Sequence, residues 1–299
     1  MKKTIHAIVI GSAVAMGVGA IATSPAQAGN LTGVTIGGTA DTDYWVYDVN
    51  GTNTVSVDKK TADITKILEG NAASPTGNVE LRASTEQSTF TANDFTRNTT
   101  LSGTIGGETI TLSSLTASDW TSLYKDTGKT FAEHWFNLAL DKNGFGSLNT
   151  PTKATLYNSF VANKGFQRFS DPNISYVNQN DSTGEISIGL AGHYNATNLL
   201  FPVVPSNLQT LLSGKTIQAS EIVKYTYNGK TDYLFSFSAT KSGLTEKSDG
   251  ISHSGNYEVN FEGLVPIKTS QAVPEPSIVL GLLGVAGMFT AQRKFKKSV

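Results

Sequence analysis

Alternating polar and apolar residues predict β-strands in the first and last thirds of the chain. Three pairs of such runs each flank a tight-turn dipeptide: residues 44–47 and 54–57 around Asn50-Gly51, residues 100–105 and 108–112 around Gly106-Gly107, and residues 222–227 and 233–239 around Asn228-Gly229. Each pair of runs predicts a β-hairpin, because these dipeptides tolerate the positive φ that tight hairpin turns require. Residues 256–261 predict one further strand.

The middle third has the residue spacing of helices. Thr130 and Glu133 stand three residues apart, which is the capping-box pattern that marks a helix start. Phe131, Trp135 and Leu138 follow at helical spacing and predict the buried face of this helix.

A second helix is predicted to begin at Thr150-Pro151, since proline is tolerated in the first turn of a helix. Residues 206–213 predict a third, short helix. The order of strands, helices and strands predicts the α+β class: a β-rich, sandwich-like domain over residues 29–268, with helices near 130–165.

The N-terminal residues 1–28 have the three parts of a signal peptide. Lys2 and Lys3 supply the positive charge, residues 5–22 are apolar, and Ala26 and Ala28 form the small-x-small cleavage pattern. We therefore expect export, with cleavage after Ala28. The alternative is an N-terminal membrane helix that is retained.

The C-terminal residues form a second apolar segment. Residues 276–292 are 17 residues without charge, at the short end of what a membrane-spanning helix needs. Four cations follow: Arg293, Lys294, Lys296 and Lys297. Because basic residues beside an apolar span tend to stay cytoplasmic, we expect a transmembrane helix with a basic tail over residues 277–299. Residues 269–276 read as its linker, and a buried core helix is the alternative.

Charge and cysteine content exclude several classes of function. Without the two termini the chain keeps 17 basic and 23 acidic residues, a net charge near −6, which argues against a nucleic-acid partner. The chain has no cysteine, so thiol catalysis, cysteine-bound metals and a lipoprotein anchor are all excluded.

The C-terminal segment resembles the PEP-CTERM sorting domain. The resemblance lies in Val273, Pro274, Glu275 and Pro276, in the apolar residues 278–291, and in the basic end described above. It implies recognition and cleavage by an exosortase-type enzyme of the inner membrane. It also implies a bacterium that makes exopolysaccharide, and a product destined for the cell surface or the extracellular matrix.

Residues 168–177 and 184–194 resemble a group of cyanobacterial proteins with the same sorting segment. That resemblance implies a sorting context and brings no known activity.

Three histidines belong to the predicted exported region. His134 lies on the apolar face of the first helix and is predicted to be a hydrogen-bonded core residue. His193 is predicted to lie in a loop after a strand, and His253 in a solvated turn rich in Ser and Gly. None of them has the spacing of metal ligands, so we expect no zinc site.

Other motifs give no catalytic constellation. The chain lacks a G-x-S-x-G element, and Gly128-Lys129-Thr130 and Gly214-Lys215-Thr216 lack the earlier glycine of a phosphate-binding loop. Three oxygen-rich stretches could contribute calcium ligands, but turns built by their side chains are the favoured interpretation: Asp141-Lys142-Asn143-Gly144, Asp171-Pro172-Asn173 and Asn178-Gln179-Asn180-Asp181.

Exposed aromatic residues are candidates for sugar binding. Tyr44, Trp45 and Tyr47 share one strand, on which one register would be exposed, and Trp120 and Trp135 lie near the helices, where core packing is favoured.

Three hypotheses of function follow. The leading one is a non-enzymatic surface or matrix protein with a structural or adhesive role, without catalytic residues, metal or cofactor. The second is a carbohydrate-binding module for exopolysaccharide. The third is a hydrolase of matrix polymers, which would need paired carboxyl groups about 5 to 10 Å apart in a cleft.

Overall fold

The structure is a computed structural model that describes residues 28–266. Its strands are β1 (Ala28–Asn30), β2 (Thr32–Gly38), β3 (Tyr44–Asn50), β4 (Asn53–Val57), β5 (Gly77–Leu81), β6 (Thr99–Ile105), β7 (Glu108–Ser113), β8 (Asn173–Asn180), β9 (Glu185–Gly192), β10 (Val223–Tyr227), β11 (Lys230–Leu234), β12 (Thr240–Lys241), β13 (Thr245–Glu246) and β14 (Gly255–Glu262). Its α-helices are α1 (Ile64–Ile67), α2 (Ala117–Thr121), α3 (Phe131–Lys142), α4 (Thr150–Ala162) and α5 (Thr197–Leu200). Its 3₁₀ helices are Asp94–Thr96, Lys125–Thr127, Gly165–Phe169, Phe201–Val203 and Ser206–Leu212.

The strands form two sheets, which confirms the prediction of a β-rich domain with a helical middle. The nine-stranded sheet, the large sheet, has the order β12-β14-β9-β8-β5-β3-β4-β13, and β1 also pairs with β8. The five-stranded sheet, the small sheet, has the order β11-β10-β7-β6-β2. Neighbouring strands are antiparallel except β13 and β4, which are parallel.

All three predicted hairpins are confirmed, and two of them have the predicted turn. Asn228 and Gly229 both adopt positive φ between β10 and β11, and Gly106 and Gly107 do so between β6 and β7. The first hairpin differs by one residue. Asn50 pairs with Asn53, so Gly51 and Thr52 form its turn instead of Asn50 and Gly51. Strand β11 also occupies Lys230–Leu234 instead of the predicted residues 233–239.

The two sheets bury one shared apolar cluster, which we call the shared core. Val46 and Leu81 contribute to it from the large sheet, and Leu101, Ile110 and Leu112 contribute from the small sheet, all of them fully buried. Because side chains alternate along a strand, the neighbours of these large-sheet residues point away from the shared core. That second surface of the large sheet is called its outer face below.

The helices bury a second apolar cluster, which we call the aromatic cluster. It consists largely of aromatic rings from α2, α3, α4 and the segments before α2 and after α4: Phe90, Phe95, Trp120, Phe131, Trp135, Phe136, Phe160 and Phe166. Helix α3 begins at the predicted capping box, where Thr130 Oγ1 accepts a hydrogen bond from the backbone of Glu133. Its buried face is wider than predicted, because Phe136 and Leu140 are buried while Leu138 is half-buried.

The other two predicted helices are present. Helix α4 begins at Thr150, as predicted, and Asn149 is its N-cap: Asn149 Oδ1 accepts a hydrogen bond from Thr152 N at 2.9 Å. The short helix predicted over residues 206–213 is a 3₁₀ helix, Ser206–Leu212.

The predicted membrane segment lies outside the described residues, as do the predicted signal peptide up to residue 27 and the linker 269–276. Within residues 28–266, the helices are too short or too polar to cross a lipid bilayer.

A partly buried ion pair connects α2 with the small sheet. Lys224 Nζ lies 2.7 Å from Asp119 Oδ1, and the Tyr233 hydroxyl donates to the same oxygen at 2.9 Å. Burial by itself raises the pKa of Asp119, but the hydrogen bonds from Lys224 and Thr116 outweigh it and hold that pKa below its ordinary value. Asp119 therefore stays charged in the folded protein at neutral pH.

Replacing Asp119 with Ala should lower the free energy of unfolding by about 2–3 kcal/mol, because Lys224 and Tyr233 lose a partner in a largely buried place. Urea denaturation at neutral pH measures this. The matched control is Asp232→Ala, which removes an ion pair of similar length, 2.8 Å, whose two side chains are 52% and 31% exposed. The control should cost less than about 1 kcal/mol. Equal losses from the two variants would contradict the role given to burial.

Candidate functional site

An apolar cavity of about 90 Å³ lies beside the aromatic cluster. Its walls come from α3, α4, and the short helices between residues 197 and 212. The buried part of the lining is aromatic and aliphatic: Trp135, Phe136, Leu156, Phe160, Val203 and Leu212. Protein interiors are usually packed without voids of this size.

Two of the lining residues carry polar side-chain atoms, and they differ in how those atoms are used. Asn143 is fully engaged: its Oδ1 accepts from Gln218 N at 2.8 Å, and its Nδ2 donates to Ala139 O and Gln218 O. Trp135 Nε1 is buried and has no acceptor among residues 28–266. The surface of the cavity is therefore almost wholly apolar.

The indole of Trp135 is held in place by neighbouring rings. It meets Trp120 edge to face at a centroid distance of 5.6 Å and lies 4.7 Å from the ring of Phe169. Trp120 itself is satisfied, since its Nε1 donates to Ser170 Oγ at 2.8 Å. Both indoles are only 2% exposed, as the sequence pattern predicted for core residues.

The aromatic strand β3 exposes one ring, where a pair was predicted. Trp45 is 47% exposed, but Tyr47, which shares its face, is 2% exposed. The Tyr47 hydroxyl donates to Glu80 Oε2 at 3.2 Å, and its ring meets the His253 ring at 4.8 Å. The segment that carries His253 covers this part of the outer face, so the prediction of an exposed pair is wrong for Tyr47.

His253 is buried, which contradicts the prediction of a solvated turn. Its side chain is 5% exposed, and its Nδ1 lies 2.7 Å from Thr54 Oγ1 and 3.3 Å from Asn78 Nδ2. The local sequence is polar, but the turn folds onto β4 and β5, and this long-range contact buries the ring. Burial lowers the pKa of His253 to about 4, so the ring is neutral at neutral pH.

The other two histidines have less specific surroundings. His134 is half-buried and packs on the Tyr124 ring at 4.6 Å, so aromatic stacking takes the place of the predicted hydrogen-bonded core position. His193 directly follows β9, as predicted, and its Nε2 lies 3.4 Å from Ser252 Oγ. Burial lowers the pKa of both histidines.

Three carboxyl groups lie near the β5–β8 border of the large sheet. Burial raises the pKa of Asp171 to about 7, and burial followed by the charge of Asp171 raises those of Glu80 and Glu221. The Thr85 hydroxyl donates to Asp171, and the Asn173 backbone donates to Glu221 at 2.8 Å. Paired carboxyl groups are what the hydrolase hypothesis requires, but Asp171 is 3% exposed and closed to a polymer.

The predicted oxygen-rich turns are used structurally. Asp171 is buried and Asn173 opens β8, so Asp171-Pro172-Asn173 is not a surface turn. Asn178-Gln179-Asn180 belongs to the same strand, where Gln179 Nε2 donates to Gly184 O at 3.0 Å. In the first stretch, Asn143 caps the end of α3. Among residues 28–266, no group of three or more His, Asp or Glu side chains could hold a metal ion.

The predicted sorting residues lie almost entirely outside the described chain. Val273, Pro274, Glu275 and Pro276 do so, as do Arg293, Lys294, Lys296, Lys297 and Ala26. Ala28 is the first residue of β1, whose next two residues, Gly29 and Asn30, pair with Gln179 and Asn178.

The sequence pattern did not predict the apolar cavity. It also did not predict that the carboxyl groups of Asp171, Glu80 and Glu221 lie close together. The dense aromatic residues between 131 and 169 were visible in the sequence, but a void among them depends on how α4 and the 197–212 segment approach α3. Comparison with known proteins finds no matching family model, no matching curated protein and no matching solved structure.

Replacing His253 with Gln should make stability less sensitive to acid. A buried histidine whose folded pKa is about 4 binds its proton more weakly than the unfolded chain does, at about 6.5. The unfolded state therefore takes up the proton first, and stability falls as pH drops from about 6.5 toward 4. Between pH 7 and pH 4.5 the unmodified protein should lose about 2 kcal/mol through this group, and the variant should not.

Urea denaturation of both proteins at pH 7 and pH 4.5 gives the comparison. His134→Gln is the matched control, because His134 is half-buried. A pH-independent difference between the unmodified protein and His253→Gln would contradict the prediction.

Proposed function

We propose that this chain is an exported, non-enzymatic protein of the bacterial surface or extracellular matrix, sorted through its C-terminal segment. The observation that carries the proposal is the order of three elements: Pro274-Glu275-Pro276, the apolar residues 278–291, and four cations. In this proposal residues 1–28 direct export, and a transmembrane helix within residues 277–299 holds the chain at the inner membrane. An exosortase-type enzyme then cuts near the motif and delivers residues 29–268, a sandwich-like domain, to the cell surface or the extracellular matrix.

The positions of the first and last strands along the described chain, β1 and β14, support the proposal. Strand β14 lies inside the large sheet, between β9 and β12, so a cut beyond residue 266 leaves it paired on both sides. Cleavage after Ala28 leaves Gly29 and Asn30 in place against β8. Both processing steps are therefore compatible with an intact domain.

Deleting residues 274–299 should release the protein into the medium, because the apolar span and its cations no longer hold it in the membrane. Cell fractionation and immunoblotting, in a bacterium that encodes an exosortase-type enzyme, measure the distribution and the mass of the product. A second variant, with Ala at Pro274, Glu275 and Pro276, keeps the span and should accumulate uncut in the membrane. The sorting proposal is wrong if the truncated chain distributes between envelope and medium as the full chain does.

The second candidate function is carbohydrate binding, and the exposure of Trp45 favours it. Trp45 lies on the outer face of the large sheet, directly across from Glu80 on β5. An exposed indole offers a flat apolar surface on which a sugar ring can stack. Exopolysaccharide is the expected ligand in the proposed setting.

Replacing Trp45 with Ala should weaken sugar binding at least tenfold, because the stacking surface is lost. A glycan array with the purified protein identifies a ligand, and titration calorimetry compares the variants. The matched control is Leu123→Ala, which removes another exposed apolar side chain, one that is 74% exposed. Absence of binding at millimolar sugar, or equal binding by the Trp45 variant, removes this candidate.

A further inference from the structure

We propose that cleavage after Ala28 creates an ion pair between the new α-ammonium group of Gly29 and the carboxylate of Asp181. The pair fastens the first strand of the processed chain to the turn between β8 and β9. The inference rests on the proposed export step, because Gly29 becomes the first residue only when residues 1–28 are removed. Hydrolysis of the Ala28–Gly29 bond consumes one water, and the proton that the new Ala28 carboxyl group loses is balanced by one that the Gly29 amine takes up at neutral pH.

Gly29 lies beside Asp181 because of the way β1 pairs. It faces Gln179 in the antiparallel pairing of β1 with β8, and Asp181 directly follows the last residue of β8. An ideal Cβ on Gly29 would lie 3.1 Å from Asp181 Oδ1. Since the Cβ and the nitrogen of one residue are about 2.5 Å apart, the Gly29 nitrogen lies within about 5.6 Å of this oxygen. A rotation of the Asp181 side chain is enough to close that distance.

The Gly29 nitrogen has one partner on β8, and cleavage gives it two further hydrogen-bond donors. Leu31 N donates to Val177 O at 3.3 Å, and bonded pairs alternate along an antiparallel ladder, so Gly29 and Gln179 form the adjacent bonded pair. The uncut chain uses its single Gly29 N–H in this pair. An ammonium group has three N–H donors, so one stays with Gln179 and two are free for the carboxylate.

Asp181 is available as the partner. None of the ion pairs among residues 28–266 includes it, and its side chain is half-buried. Two further carboxyl groups lie at this end of the large sheet: Glu185 and Glu262 are exposed and face each other across β9 and β14. The surroundings of Gly29 are therefore acidic and favour a positive charge there.

The turn that carries Asp181 also holds the last described residues of the chain. Gly184 O accepts a hydrogen bond from Gly263 N at 3.1 Å, and Gln179 Nε2 donates to Leu264 O at 2.7 Å. Both ends of the described chain therefore meet at the β8–β9 turn. An ion pair that forms only after cleavage stabilises this junction in the processed chain and not in its precursor.

A comparison of free and blocked α-amines tests the proposal. A chain of residues 29–299 is compared, in the same detergent, with the same chain acetylated at Gly29, because acetylation keeps the N–H that faces Gln179 and removes the charge. Urea denaturation should give an equilibrium constant of unfolding about two- to fivefold smaller for the free amine. Asp181→Asn should remove this difference. The matched control Glu185→Gln, which removes the same charge from an exposed position, should keep it.

The pKa of the Gly29 amine is a readout that a purely structural role of Asp181 would not change. In protein labelled with ¹³C-glycine, nuclear magnetic resonance follows the one glycine Cα signal whose titration near pH 8 disappears on acetylation. The pKa of this amine should lie at least about half a unit above the ordinary range of about 7.7–8.0. Asp181→Asn should return it to that range.

The outcomes separate this inference from the export proposal. An ordinary amine pKa in the folded, unmodified chain overturns the ion pair, and so does an equal effect of acetylation with and without Asp181→Asn. N-terminal sequencing of the exported protein tests the premise: Gly29 as the first residue supports the inference, and any other first residue overturns it. If Gly29 is the first residue and the ion pair is absent, the inference fails while the proposed export stands.

Discussion

The shared core between the two sheets is the constraint on which the rest of this structure depends. Each sheet presents an apolar face, and these faces bury one another, so the alternation of residues along every strand is fixed by contact with the other sheet. A shift of one residue in any central strand would turn its apolar side chains away from the core. Register in turn decides which side chains reach the outer face: Trp45, Tyr47, Asn78 and Glu80 are there because Val46, Val79 and Leu81 face inward.

The helical part is attached to this core through two strands. On β7 and just beyond it, Leu112 belongs to the shared core while Leu115 belongs to the aromatic cluster. At the start of β10, the neighbours Ile222 and Val223 divide between the two clusters in the same way. Backbone hydrogen bonds from Leu115 to Ser170 and from Ile222 to Phe169 join the same places to the end of the helical segment. The cavity adjoins this junction, because Phe169 is one of its lining residues.

Two buried ionisable groups, His253 and Asp171, illustrate opposite consequences of burial. Burial favours a neutral histidine and a protonated carboxyl group, so a fall in pH from about 6.5 toward 4 destabilises the first, and a rise in pH from about 4 toward 7 destabilises the second. The two effects oppose each other over the same pH range, which makes a single variant more informative than the pH profile of the unmodified protein.

The amino-acid sequence by itself determined the local elements. The turns Asn228-Gly229 and Gly106-Gly107, the capping box of Thr130 and Glu133, and the burial of Trp120 and Trp135 follow from short-range patterns, because backbone preferences and residue periodicity act over a few residues. Tertiary structure alone decided the burial of His253, the covering of Tyr47 and the clustering of two further carboxyl groups, those of Glu80 and Glu221, near Asp171. Each of these depends on segments far apart in the chain, such as Thr54 and His253, whose approach is set by sheet order. The cavity belongs to the same class, since a void is a property of how packed elements meet and leaves no pattern along any one of them.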